Sequence, residues 1–141
     1  MTFPQKKGII INNTKIKLDE RINERDFGVD YLNQLPDDFT KESFDDKNFK
    51  VFNGESLNEM DKRFNDFIEE LLKSDKDKSI IVIHGIMLLS FLQNNCDFKY
   101  DKTTITVKYN NKTIVENKPK SPGVYKITYV DKKIIDIDVI N

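Results

Sequence analysis

Residues 79–93, SIIVIHGIMLLSFLQ, predict a buried strand followed directly by a helix. The branched aliphatic run at 80–83 is typical of a strand that is covered on both faces. Gly85 ends that run, and the apolar residues 86–93 predict a buried helix. His84, the only histidine in the chain, is therefore expected at the carboxyl end of a strand and beside the first turn of a helix.

A junction of this kind suits the binding of an anion. In open α/β sheets, ligands bind at the carboxyl ends of the strands, and a helix N-terminus offers free N–H groups and the positive end of a dipole. Gly85 lets the backbone come close to a ligand, and the His84 imidazole could donate to a phosphoryl oxygen. The local pattern leaves one alternative open, in which His84 is a core histidine that caps the strand and binds nothing.

Upstream, residues 56–73 predict the clearest helix of the chain. Ser56 and Glu59 have the spacing of a capping box, in which the serine oxygen accepts an early N–H and the glutamate reaches back to the serine N–H. Glu55 and Ser56 are interpreted as charge and cap at this helix N-terminus. Apolar residues then recur at three- and four-residue steps and form one stripe: Leu57, Met60, Phe64, Phe67, Ile68, Leu71 and Leu72.

The regions on either side follow other patterns. Residues 15–18 alternate and predict a strand, and the charged residues 19–28, DERINERDFG, are expected on a loop. Residues 30–53 are polar and irregular and predict a long excursion with one helical turn. The last third of the chain predicts strands at 104–109, 125–129 and 135–139, with turns at Asn110-Asn111 and 131–133.

Composition excludes several classes of function. The 141 residues suffice for one domain, and 23 basic against 24 acidic residues give a net charge of −1, with no long-range attraction to nucleic acid or anionic membranes. A single cysteine, Cys96, excludes an internal disulfide, and no Cys/His cluster predicts a metal site. No apolar run approaches the roughly 20 residues of a membrane span, and residues 1–7 contain no apolar leader segment. We therefore expect a cytoplasmic protein with no metal and no cofactor.

Three segments together resemble the histidine phosphatase superfamily, which is phosphoglycerate-mutase-like. Residues 53–57, NGESL, begin a helix that precedes a hydrophobic strand ending in His84-Gly85, as in that family. Residues 18–28, LDERINERDFG, are similar to the family's L-N-E-R-x-(F/Y)-G segment. The three matches occur in the family's order, and the resemblance covers residues 15–95.

The resemblance implies roles for four residues. His84 matches the histidine that donates hydrogen bonds to the transferring phosphoryl group, and Glu24 matches the glutamate that acts as general acid and base. Arg25 falls in the segment that helps to line the substrate pocket, with a solvated loop position as the alternative. Gly85 is expected beside the same substrate, which would be a phosphorylated small molecule or another anion.

Two elements of the family have no counterpart here. The family's phosphate-accepting histidine lies in an Arg-His-Gly motif and a second arginine follows it, whereas the residues before Leu18 contain neither histidine nor arginine. One histidine cannot both attack the phosphorus atom and stabilise its oxygens, and bidentate arginines carry much of the phosphate binding. The resemblance therefore implies a chain that does not transfer phosphoryl groups alone.

The implied fold class is α/β. It is a three-layer α/β/α phosphoglycerate-mutase-like sheet, incomplete because the first strand and its helix are missing, with a β-rich C-terminal part. A single partial domain would cover residues 1–141. Because a missing central strand leaves backbone groups unpaired, the sheet could close up, use residues 8–11 as a strand, or pair with a second chain that supplies the strand. The segment 8–11, GIII, is the best candidate within the sequence.

Two classes of function follow from these observations. In the first, the chain is a truncated or degenerate histidine phosphatase, a pseudoenzyme related to phosphomonoester hydrolases and phosphomutases. In the second, it is a non-catalytic anion-binding or protein-interaction module that keeps the junction at His84 and Gly85. An unrelated small α/β domain is the third interpretation that the residues leave open.

Overall fold

The computed structural model describes residues 8–12, for their backbone, and residues 15–141. The chain divides into two compact units, Met1–Ser90 and Phe91–Asn141. Helices occur together with small antiparallel sheets, which is compatible with the predicted α/β class. None of the helices in this described part of the chain has the length and apolar character of a membrane span. The assignment of a single domain over residues 1–141 stays a prediction.

The first unit combines a three-stranded sheet with helices. The sheet has the order β2–β1–β3 with antiparallel neighbours, where β1 is Gly8–Asn12, β2 is Lys15–Asp19 and β3 is Ile80–Val82. Two 3-10 turns, Glu20–Ile22 and Leu32–Gln34, follow β2. The helices are α1 (Phe39–Asp45), α2 (Leu57–Lys73) and α3 (Gly85–Asn95), the last of which continues into the second unit.

β1 lies in the middle of this sheet, so the strand predicted in that segment is confirmed. Leu18 and Val82 both pair with Ile9, and Ile16 and Ile80 both pair with the residue two positions further along β1. Directly opposed residues of antiparallel strands share a face of the sheet. The side chains of Leu18, Val82, Ile16 and Ile80 therefore lie on one face.

That face is open to solvent. Ile16 is 65% exposed, Leu18 62%, Ile80 63% and Val82 45%. The expectation that residues 80–83 would be covered on both faces is wrong. The physical reason is that no described element covers the face on which Ile80 and Val82 lie. An apolar run predicts a covered strand only where another layer packs on it.

α2 forms as predicted, and its N-terminus has the capping box. The Glu59 N–H donates to Ser56 Oγ over 3.1 Å, and the Ser56 N–H donates to the Glu59 carboxylate over 2.8 Å. Two of the orphan donors of the helix N-terminus are thereby satisfied. The apolar stripe is buried at Leu57, Met60, Phe64 and Phe67.

The polar excursion contains more helix than predicted, since α1 makes about two turns where one was expected. Phe39 and Phe44 of this helix are both buried. The Phe27 and Phe39 rings pack edge to face, with centroids 6.0 Å apart. The burial of these aromatic side chains stabilises α1. The polar residues around them gave no periodic pattern from which a helix of this length could be predicted.

A buried polar cluster joins three segments of the first unit. Lys47 Nζ donates to Asp61 Oδ2 over 2.6 Å and to Ser90 Oγ over 2.8 Å, and Ser90 Oγ donates to Asp61 Oδ1 over 2.6 Å. Ser90 is fully buried and Asp61 is 8% exposed. Since Asp61 lies on α2 and Ser90 near the middle of α3, the cluster holds these two helices together.

The second unit is β-rich, as predicted. One sheet has the order β4–β5–β6, and a hairpin joins β7 to β8; these strands are Asp97–Asp101, Thr104–Tyr109, Lys112–Val115, Tyr125–Val130 and Lys133–Val139. The predicted turns are confirmed, with φ of 47° and 65° at Asn110 and Asn111, and 51° and 65° at Asp131 and Lys132. The core includes Val107, Val115 and Ile137.

Candidate functional site

His84 lies between the end of β3 and the start of α3. Its carbonyl accepts from the Leu88 N–H over 3.3 Å, so the first helical turn begins at His84 itself. The imidazole is 26% exposed. A β-carbon added to Gly85 would meet no atom within 4 Å, so open space adjoins the helix N-terminus at this point. The position predicted for His84, at a junction of strand and helix, is confirmed.

Glu24 is brought to the same place from a distant part of the sequence. His84 Nδ1 and Glu24 Oε2 are 3.6 Å apart, and the Glu24 side chain is 15% exposed. This separation exceeds that of a direct hydrogen bond but allows an ion pair when the imidazole is protonated. A small ligand could therefore contact both side chains at once.

Glu24 is held in place by its neighbours on both sides. The Arg25 N–H donates to Glu24 Oε1 over 3.0 Å, and Arg63 Nη2 donates to the Glu24 carbonyl over 3.2 Å. The preceding 3-10 turn is anchored by Ile22, which is fully buried. Asp19 caps that turn by accepting from the Arg21 N–H over 2.9 Å. The acidic side chain thus stands on an ordered segment.

Arg25 is buried, with 2% of the residue exposed, so the alternative of a solvated loop position is wrong. Its guanidinium donates to protein groups: Nε to the Glu55 carbonyl over 2.8 Å, Nη1 to Ser43 Oγ over 3.0 Å and Nη2 to the Phe49 carbonyl over 3.1 Å. It also stacks on Phe39, with Cζ 4.6 Å from the ring centroid. Its role in lining a substrate pocket stays a prediction.

Burial has an electrostatic consequence for Arg25. It lowers the pKa of Arg25 to about 10, while the Glu55, Glu24 and Glu59 carboxylates act in the opposite direction. The guanidinium therefore stays positively charged at neutral pH.

The pair formed by Glu55 and Arg63 was missed by the sequence reasoning, which assigned Glu55 to the helix N-terminus alone. Arg63 Nε donates to Glu55 Oε2 over 2.7 Å, and Arg63 Nη2 donates to Glu55 Oε1 over 2.9 Å. A signal was present in the sequence. Arg63 falls on the apolar stripe of α2, three residues after Met60 and four before Phe67, where a charged residue needs a partner.

A cleft of about 620 Å³ in the first unit lies elsewhere than the junction at His84. Its lining includes neither His84 nor Glu24 but has four carboxylates, Glu20, Asp26, Glu55 and Glu59, and two cations, Lys50 and Arg63. The two cations pair with Glu59 and Glu55. The remaining charge is negative, so this cleft does not favour an anion.

Among residues 8–12 and 15–141, no group of three or more His, Cys, Asp or Glu side chains is arranged to hold a metal ion. The described groups at the junction are one imidazole, one carboxyl group and the N–H groups of a helix N-terminus.

Comparison with protein families matches residues 8–126 of the chain to the model of the histidine phosphatase superfamily (branch 1). The matched span is most of the chain, and it contains Glu24, Arg25, His84 and Gly85. Comparisons with curated proteins and with solved structures gave no significant match.

Proposed function

The chain belongs to the histidine phosphatase superfamily, and we propose that it binds a phosphomonoester or another anion without transferring the phosphoryl group by itself. The proposed site is the His84 corner, which consists of His84, Gly85 and Glu24. The preferred candidate ligand is a phosphorylated small molecule, because members of the family act on phosphoryl groups.

The proposal rests on the closeness of His84 and Glu24, whose Nδ1 and Oε2 atoms are 3.6 Å apart. An imidazole N–H would donate to a phosphoryl oxygen, and the carboxyl group of Glu24 would lie beside the bridging oxygen of a bound phosphomonoester. The open space at Gly85 would admit the anion to the N–H groups of the first turn of α3. Each group thus has a distinct part of the ligand to contact.

The charge groups of the chain support binding without turnover. The single histidine cannot serve both as nucleophile and as oxyanion donor. The three arginines are bonded within the protein, since Arg21 pairs with Asp19 and Glu70, and Arg25 and Arg63 donate to the acceptors described above. A bidentate phosphate clamp would require one of these arrangements to be broken.

The proposal extends to the architecture. The three-layer α/β/α arrangement would be present in incomplete form, with β1 in the place of a family strand. The open face formed by Ile16, Leu18, Ile80 and Val82 supports a missing layer, because contiguous exposed apolar residues mark surfaces that another element covers. The same face favours the second candidate function, a protein-interaction module whose partner is a second chain. The cytoplasmic location stays a prediction.

Two measurements on the whole chain test the proposed function. Turnover of p-nitrophenyl phosphate is expected to stay at the level of buffer. Inorganic phosphate, added to the labelled chain, is expected to shift the ring resonances of its single histidine in NMR spectra. Turnover that disappears in His84→Ala would contradict the proposed inactivity. Ring resonances whose chemical shifts stay unchanged in millimolar phosphate would contradict the proposed site.

A further inference from the structure

We infer that Arg63 is the positioning residue of the His84 corner, because it fixes the backbone that presents the Glu24 carboxylate to His84. Arg63 does not itself belong to the corner. The ligand of the corner rests on the proposed function, whereas the positioning by Arg63 rests on contacts within the protein.

The Arg63 guanidinium joins three residues. It donates from Nε and Nη2 to the two oxygens of Glu55, over 2.7 and 2.9 Å. Nη1 donates to the Arg21 carbonyl over 2.7 Å, and Nη2 also donates to the Glu24 carbonyl over 3.2 Å. The planar guanidinium can reach all these acceptors at once, whereas the ammonium group of lysine has no such fork.

Glu55 extends this support along the same segment. The Glu55 N–H donates to the Asp26 carbonyl over 2.7 Å, and the Asp26 N–H donates to Glu55 Oε1 over 3.3 Å. The Glu55 carbonyl accepts from Arg25 Nε over 2.8 Å. Glu55, just before α2, and Arg63, in its second turn, therefore bind four residues of the segment 21–26, on both sides of Glu24.

The pair is shielded from solvent, since the side chains of Arg63 and Glu55 are 20% and 17% exposed. Screening by water and salt is weaker for partly buried charges than for surface charges. The backbone at Gly28 packs directly against the backbone at Gly54, because a β-carbon at Gly28 would lie 2.5 Å from the Gly54 nitrogen. The two backbones meet there without intervening side chains.

α2 also positions the other half of the corner. Asp61, two residues before Arg63, accepts from Ser90 Oγ over 2.6 Å, and Ser90 lies on the helix that begins directly after His84. The buried residues Met60 and Phe64 flank this part of α2 in the core. α2 therefore contacts both halves of the corner, through Arg63 on the Glu24 side and through Asp61, on a different face of the helix, on the His84 side.

The test uses the whole chain, without ligand, and reads the ring resonances of its single histidine by NMR at pH 7. Arg63→Lys keeps the charge but loses the fork, and it is expected to move these resonances by at least half of the shift caused by Glu24→Gln. Lys62→Arg, at the exposed neighbouring position, is the matched control and is expected to leave them unchanged. In the Glu24→Gln background, Arg63→Lys should add little.

A folded Arg63→Lys variant with the ring resonances of the parent would overturn the inference, as would an equally large shift in the Glu24→Gln background. If Arg63→Lys fails to fold, Glu55→Gln keeps the Arg63 side chain and weakens only its paired acceptor, and the same comparison is made with that variant. Failure of the proposed function looks different. In that case phosphate leaves the parent's ring resonances unmoved, while Arg63→Lys still shifts them.

Discussion

The Glu24 carboxylate stands 3.6 Å from the His84 imidazole, and both residues are tied to α2. Arg63 of that helix donates to the Glu24 carbonyl, and Asp61 accepts from Ser90 of the helix that follows His84. Neither residue's local sequence fixes this distance. Substitutions within the corner should therefore change ligand binding more than stability, whereas substitutions in its support should do the reverse.

Glu24→Gln is expected to tighten the binding of inorganic phosphate by about fivefold. The substitution removes a negative charge from beside the bound anion. Two like charges about 4 Å apart in water repel by about 1 kcal/mol, which corresponds to about fivefold in affinity. Glutamine keeps the oxygen that accepts from the Arg25 N–H, so the fold should persist. Glu20→Gln, an equal charge change at an exposed position of the same segment, serves as control. Titration calorimetry measures the phosphate affinity of both variants. Equal affinities would show that Glu24 is not part of the site.

His84→Gln is expected to weaken phosphate binding by about 10- to 100-fold. The imidazole hydrogen bond to an anion is charge-assisted, and such bonds contribute about 1.5–3 kcal/mol. Stability should change little, because the side chain is 26% exposed and its partner is a carboxylate in reach of water. Lys62→Gln removes a positive charge from an exposed position and separates the general effect of charge from the local one. If both variants bind phosphate alike, His84 is not a ligand-binding residue.

Gly85→Ala is expected to stabilise the chain and to weaken phosphate binding. The added β-carbon meets no atom, and alanine restricts the unfolded chain, so the free energy of unfolding should rise by about 0.4–1 kcal/mol. The same methyl group occupies space that the anion would use. Urea unfolding and phosphate titration on one sample give the two values. A variant that binds phosphate as the parent does would place the anion elsewhere.

The sequence predicted the elements with local signals. The capping box of α2, the turn at Asn110-Asn111 and the junction at His84 each depend on neighbouring residues, and all three form. Long-range burial was not predictable in the same way. Arg25 lies in a charged run that is typical of a solvated loop, yet α1 and the loop after it supply its partners.

The exposure of β3 is the opposite case. A run of branched aliphatics indicates only that covering the strand would be favourable, not that a covering layer is present. In the described part of the first unit, Ile80 and Val82 are exposed. The pairing of Arg63 with Glu55 had a local signal, because Arg63 interrupts the apolar stripe of α2. A partner for such a residue is required by the cost of burying an unpaired charge.

Arg25→Lys is expected to lower the free energy of unfolding by about 2–4 kcal/mol. Lysine cannot reach the Glu55 carbonyl, Ser43 and the Phe49 carbonyl together, and each buried group left unsatisfied costs about 1–3 kcal/mol. Arg21→Lys is the control in the same segment. Its ion pairs are more exposed, and exposed pairs contribute about 0–1 kcal/mol. Urea denaturation compares the two variants, and equal losses would show that burial of Arg25 does not stabilise the first unit.

Cys96 is expected to react slowly with a disulfide reagent in the folded chain. Burial raises the pKa of the Cys96 thiol to about 11, and the Asp97 carboxylate acts in the same direction. A raised pKa keeps the thiol neutral, so at pH 8 the thiolate fraction is about 200-fold below that of a free cysteine with a pKa of about 8.5. The more basic thiolate is also the stronger nucleophile, which raises the rate about tenfold and leaves a net reaction about 20-fold slower than that of a free cysteine.

The rate with Ellman's reagent should rise with pH up to about 11, and the chain in urea, at the same pH, should react as a free thiol does. Equal rates at pH 8 in the folded and unfolded chains would contradict the partial burial of the Cys96 side chain.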